Sequence, residues 1–118
     1  MLLFLEYPKC STCRKAKKWL EENHNVFEDR HILEENPTRE ELEKWAEISG
    51  LPLKKMFNTS GMKYRELGLK DKLAEMDREE QLDLLASDGM LVKRPVLVGD
   101  DFVLFGFREE TWKEKTGN

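Results

Sequence analysis

Cys10 and Cys13 are the only cysteines in a chain of 118 residues, and they stand as Cys10-Ser11-Thr12-Cys13. So short a loop stabilises little when closed, and a disulfide-stapled scaffold would space several cysteines widely. Redox chemistry or metal binding therefore accounts for the pair better than stapling does. A thiol attacks as its thiolate, which is scarce at neutral pH unless a helix N-terminus or nearby cations lower the thiol pKa to roughly 3.5–7.5. A helix predicted to begin around Thr12 aims unsatisfied amides at Cys10, and Lys9, Arg14 and Lys15 add positive charge. Cys10 is the expected nucleophile toward an oxidised substrate. Cys13, further into the helix, is the expected resolving thiol that leaves an internal disulfide. A zinc site would have to recruit His24 and His31, which are separated by six residues, where a finger places about three to five. His31 also falls in a predicted strand. No metal is expected, and both histidines read as surface residues.

The elements that must position this loop are legible on either side of it. Leu2 to Tyr7 is apolar and β-prone and stops at Pro8. Cys13, Ala16, Trp19, Leu20 and Asn23 recur at helical spacing, and Val26 to Ile32 roughly alternates, so strand, cysteine loop, helix and strand open a βαβ unit. Thr38 with Glu41 and Asp77 with Glu80 are capping-box pairs. They start the two longer helices of a helical block over about residues 38–88, which also holds a short helix near Pro52 and helical pieces around Tyr64 and Lys70. Val96 to Val98, a turn at Gly99-Asp100-Asp101 and a return strand over Phe102 to Phe107 predict a β-hairpin. Arg108 to Lys115 predicts a final charged helix anchored by Trp112. This order predicts an α/β chain with a four-stranded mixed sheet in a thioredoxin-like arrangement, a single domain over residues 1–118 with a helical insertion.

Composition narrows the functional classes. With 39% hydrophobic and 37% charged residues the chain can bury one core, and no apolar run approaches the roughly 20 residues of a membrane span. The apolar start at Met1 to Leu5 has no basic stretch before it, so it reads as a strand in an intracellular, cytoplasmic protein and not as a signal peptide. A net charge of −4 gives no global attraction to phosphate backbones, and direct nucleic-acid binding is not expected. The basic run Arg14, Lys15, Lys17 and Lys18 is followed at once by Glu21 and Glu22 and reads as solvated surface. Arg94-Pro95 precedes a buried strand. There the proline is either a plain strand-start residue or a cis proline facing the cysteine loop, and local sequence alone leaves both readings open.

Three segments, Tyr7-Pro8-Lys9-Cys10-Ser11-Thr12-Cys13-Arg14-Lys15-Ala16, Tyr64-Arg65-Glu66-Leu67-Gly68-Leu69 and Arg94-Pro95-Val96-Leu97-Val98, resemble in order those of the glutaredoxin-related arsenate reductase and Spx family. The resemblance spans nearly the whole chain. It implies a cis Arg94-Pro95 bond against the cysteine loop, with Cys10, Cys13 and Arg94 as catalytic residues and Ser11, Thr12 and Pro95 as substrate contacts. No bound cofactor is implied. The electron donor would be a thiol reductant, glutathione with glutaredoxin or thioredoxin, and the substrate a small oxidised compound or oxyanion. Arsenate reductases of the family hold the oxyanion with three arginines. Here Arg94 matches one, while Asn58 and Gly106 stand at or near the other two and Arg108 is shifted. Arsenate reduction is accordingly expected to be weak or absent. The paired cysteines are similar to the Spx branch, whose C-x-x-C is a disulfide switch in a regulator that binds the C-terminal domain of the RNA polymerase alpha subunit. A thiol oxidoreductase is the first expectation and a redox-sensing transcription regulator the second. The regulator ranks lower for want of a basic C-terminal extension and because Leu51-Pro52 stands where those regulators present a glycine.

Overall fold

The computed structural model describes residues 2–117. Contacts divide them into two compact units, one made from the chain up to His31 together with Arg94 onward, the other from Ile32–Lys93.

The first unit holds the sheet. Strand β1 (Leu2–Glu6) runs into the cysteine loop, and helix α1 (Ser11–Glu22) leads to β2 (Phe27–His31). After the second unit the chain returns as β3 (Val96–Val98) and β4 (Val103–Phe105) and ends in α6 (Glu109–Thr116). The sheet order is β2-β1-β3-β4, with β1 parallel to β2 and antiparallel to β3, and β3 antiparallel to β4. This is the four-stranded mixed sheet of the thioredoxin-like fold.

Alternation along β1 sends Phe4 to a core shared with Ala16 and Leu20 of α1, Leu97 of β3 and Trp112 of α6. Trp112 is 1% exposed, its ring meets Phe4 and Phe107 edge to face, and its indole N–H donates to the Gly106 carbonyl at 3.1 Å. The predicted anchor of the last helix is therefore a central core residue. The return strand is shorter than its apolar run suggests. At Gly106 φ is +82°, a left-handed conformation that ends the extended chain, and its amide donates to the Pro95 carbonyl at 2.8 Å.

The second unit is helical. Its helices are α2 (Arg39–Ser49), α3 (Met62–Glu66), α4 (Leu69–Lys72) and α5 (Arg78–Ser87), with 3-10 turns at Leu53–Met56, Leu73–Glu75 and Gly89–Leu91. Both capping boxes form: Thr38 Oγ1 accepts from the Glu41 amide at 3.1 Å, and Asp77 Oδ1 accepts from the Glu80 amide at 2.8 Å. Leu42, Trp45 and Ala46 of α2 and Leu82 and Leu85 of α5 are buried. Arg39 ties the two helices together through ion pairs with Glu79 and Asp83.

Candidate active site

Cys10 is the N-cap residue of α1. Its backbone is extended (φ −91°, ψ 117°), and its sulfur accepts the Cys13 amide at 3.3 Å. A thiolate here satisfies an amide that would otherwise be orphaned at the helix start, and it sits at the positive end of the helix dipole. The loop is braced at both ends: the Cys10 amide donates to the Tyr7 carbonyl at 2.9 Å, and from the first turns of α1 the Arg14 guanidinium donates to the Pro8 carbonyl at 3.2 Å. Ser11 and Thr12 are exposed in the first turn, while Cys13 is fully buried.

The two thiols occupy opposed environments. Partial burial works to raise the Cys10 thiol, but hydrogen bonds from the Cys13 thiol and amide outweigh it, helped by the charge and hydrogen bond of Arg94, and the net shift is downward. Burial dominates at Cys13, against a backbone hydrogen bond from Tyr7, and with the neighbouring Cys10 sulfur it pushes that thiol up to about 12.

Arg94 and Pro95 come from the segment entering β3, which pairs with β1 from Leu3↔Val98 to Leu5↔Val96. That register carries the start of β3 to the end of β1 from which the cysteine loop springs. The Arg94-Pro95 bond is cis, Pro95 is buried and Arg94 is half-buried. The Arg94 guanidinium lies 5.4 Å from the centre of the Tyr7 ring and reaches the Cys10 thiol. Cys10, Cys13, Arg94 and Pro95 are thus brought to one end of the sheet, with Ser11 and Thr12 on the loop between the cysteines. Asn58 belongs to the helical unit, where its amide donates to the Leu91 carbonyl at 2.8 Å. Arg108 is exposed at the N-cap of α6.

Two residues sit differently from their sequence expectation, and a third, Glu6, carried none. His24 is exposed as expected, but His31 is half-buried with its ring edge-on to Tyr7 at 5.8 Å. Lys17, in a run that the sequence places on solvated surface, lies between Glu6 Oε2 at 3.4 Å and Asp29 Oδ2 at 2.7 Å. Glu6 itself was not singled out. It is buried at the end of β1, and burial, with a hydrogen bond to and the charge of Asp29, raises its carboxyl to about 7 despite Lys17. Its only sequence signal is a carboxylate at an alternating position whose neighbours on the same face, Leu2 and Phe4, are apolar.

Because the folded state holds this proton more tightly than the unfolded chain does, the stability it contributes is fully present below about pH 4.5 and is lost as pH rises through about 7. Glu6→Gln keeps the shape and a donor for Asp29 without the ionisation. Its unfolding free energy should match that of the wild type near pH 4.5 and exceed it at pH 8 by about 3 kcal/mol, read from denaturant melts at the two pH values. A wild type more stable than the variant at pH 8 would show that Lys17 outweighs burial.

A family model described as the ArsC family matches residues 5–115. The chain belongs to the ArsC family. Among relatives of this ArsC-family chain, YusI of Bacillus subtilis (strain 168) is 58% identical over 113 residues, covering 96% of each chain. The regulatory protein MgsR of the same organism is 34% identical over 106 residues, covering 90% of this chain and 82% of MgsR. The global transcriptional regulator Spx of Enterococcus faecalis is 27% identical over 110 residues, covering 93% of this chain and 82% of Spx. Among solved structures, that of a possible arsenate reductase from Streptococcus mutans is 48% identical with a TM-score of 0.88, covering 96% of this ArsC-family chain and 98% of that one.

Proposed function

We propose that this ArsC-family chain is a thiol-disulfide redox protein in which Cys10 is the nucleophile and Cys13 the resolving thiol. The observation that carries this reading is the opposed setting of the two sulfurs, Cys10 lowered at the helix N-cap beside Arg94 and Cys13 buried and pushed up to about 12. With a disulfide as substrate, the Cys10 thiolate attacks one sulfur, forms a mixed disulfide and expels the other half as a thiolate. Cys13 then gives up its proton to solvent and attacks the Cys10 sulfur. The internal disulfide forms, the second half of the substrate leaves as a thiolate, and two electrons have passed from the two thiols to the substrate. An external thiol reductant, glutathione with glutaredoxin or thioredoxin, restores the dithiol. Arg94 stabilises the attacking thiolate, and Ser11, Thr12 and Pro95 flank the approach to it.

Incubation with a low-molecular-weight disulfide tests the cycle. The wild type should end with a Cys10–Cys13 disulfide, whereas Cys13→Ser should stop at a mixed disulfide on Cys10. A mixed disulfide mapped to Cys13 in the wild type would overturn the assigned roles.

The likeness to MgsR and Spx favours a second reading, in which the same disulfide is the signal of a redox-responsive transcription regulator that binds the C-terminal domain of the RNA polymerase alpha subunit. Binding of that domain to one oxidation state and not the other, measured on reduced and oxidised protein, supports the regulator. Equal or absent binding, with turnover of a disulfide substrate, supports the oxidoreductase.

A further inference from the structure

The side chain of Tyr7 has no part in the mechanism above, yet the residue touches each of its components. Its carbonyl accepts the Cys10 amide at 2.9 Å and its amide reaches the Cys13 sulfur. Its ring faces the Arg94 guanidinium 5.4 Å away, and the ring's other close aromatic neighbour is His31 at 5.8 Å, edge to face. An arginine side chain has several rotatable bonds, so a guanidinium lowers a thiol pKa only while it is held in place. An aromatic face does this, because the negative face of the ring attracts the flat side of the cation while the N–H donors point outward in the guanidinium plane, where they can reach a sulfur.

We propose that Tyr7 is a positioning residue that holds Arg94 against the Cys10 sulfur and so sets the reactivity of Cys10. The inference rests on the reading of Cys10 as the reactive thiolate and names what tunes it. Tyr7 directly follows β1, Arg94 leads into β3, and the pairing of those strands brings the ring and the cation together. The charged and titratable groups that bear on the device are Arg94 from the β3 side, Cys13 from α1 and His31 from β2. The phenol hydroxyl has no part in it, since the ring face carries the interaction.

The test is the pH dependence of Cys10 alkylation on the full chain, read by peptide mapping. Arg94→Ala should raise the midpoint, and Tyr7→Leu should raise it by about 0.5 pH unit, a share of the same effect. Tyr7→Phe should leave it unchanged. The double variant Tyr7→Leu with Arg94→Ala should match Arg94→Ala alone, because Tyr7 acts only through the cation. Should Tyr7→Leu fail to fold, pentafluorophenylalanine at position 7 keeps the ring's shape, reverses its quadrupole and carries the same expectation. An unmoved midpoint in the variants that remove or reverse the ring face, beside a raised one in Arg94→Ala, overturns the role of Tyr7 and leaves the reading of Cys10 intact. A full further shift on top of Arg94→Ala, or a shift in Tyr7→Phe as large as in Tyr7→Leu, also overturns it. A wild-type midpoint at the ordinary thiol value that Arg94→Ala does not move removes the Cys10 reading and the inference together.

Discussion

Brief alkylation of the reduced protein at neutral pH should modify Cys10 and leave Cys13 essentially untouched. With the Cys13 thiol pushed up to about 12 and that of Cys10 lowered below its ordinary value of 9, the thiolate fractions at pH 7 differ by at least ~1000-fold. A more basic thiolate is intrinsically more nucleophilic, and for a gap of this size that returns roughly 20–30-fold to Cys13. The balance still favours Cys10 by a factor of at least ~30, before counting that Cys13 is 0% exposed and the reagent must reach it. Mass mapping of the singly labelled protein reads the ratio directly. Comparable labelling of the two cysteines would mean that the buried thiol opens to solvent faster than the reagent reacts, and that the order of attack is not built into the fold. Raising the pH should leave the preference intact until Cys10 is fully ionised and then erode it about tenfold per pH unit, because the Cys13 thiolate fraction keeps rising toward its pKa of about 12.

Arsenate turnover, coupled to NADPH oxidation through glutathione and glutaredoxin, should fall at least ~100-fold below that of a family member with three oxyanion-binding arginines. Each missing charge-assisted contact is worth about 1.5–3 kcal/mol, so two together weaken oxyanion binding by roughly 100-fold to 25,000-fold. Gly106 cannot simply be exchanged for the missing arginine. Its φ of +82° strains any L side chain, its amide serves the Pro95 carbonyl and its own carbonyl holds the Trp112 indole. A Gly106→Arg variant should therefore lose stability without gaining turnover. Turnover equal to the three-arginine enzyme, abolished by Cys10→Ser, would show that other donors hold the oxyanion.

Much of the local structure was legible because the interactions behind it span few residues. Thr38 with Glu41 and Asp77 with Glu80 are three apart, and both boxes start helices within a residue of the expected place. Gly50 ends α2 with φ +69°, the left-handed cap that its position after the last periodic residue predicts. The C-x-x-C at the mouth of a periodic segment likewise placed Cys10 at a helix start, and the structure makes it the N-cap. Reading was weaker where a run of apolar side chains carried no information about its backbone. Phe102 to Phe107 is uniformly β-prone, yet only Val103–Phe105 is strand, because the chain turns at Gly106 to place Trp112 in the core.

By itself, then, the sequence determined the order of elements, the two cysteines at a helix N-terminus and the family in which those elements occur, all of which follow from short-range periodicity, caps and motif spacing. The family resemblance already implied Arg94 and Pro95 beside the cysteine loop, and only the tertiary structure decided the contacts that put them there and the rest of what surrounds the cysteines. The pairing of β1 with β3 brings Arg94 to Tyr7 and Cys10 from far along the chain, and the packing of α1 on the sheet buries Cys13 and sets Lys17 between Glu6 and Asp29. The physical reason is that a pKa depends on solvent exclusion and on charges a few ångströms away. Residues distant in sequence become such neighbours only through strand register and side-chain packing, which no local pattern encodes.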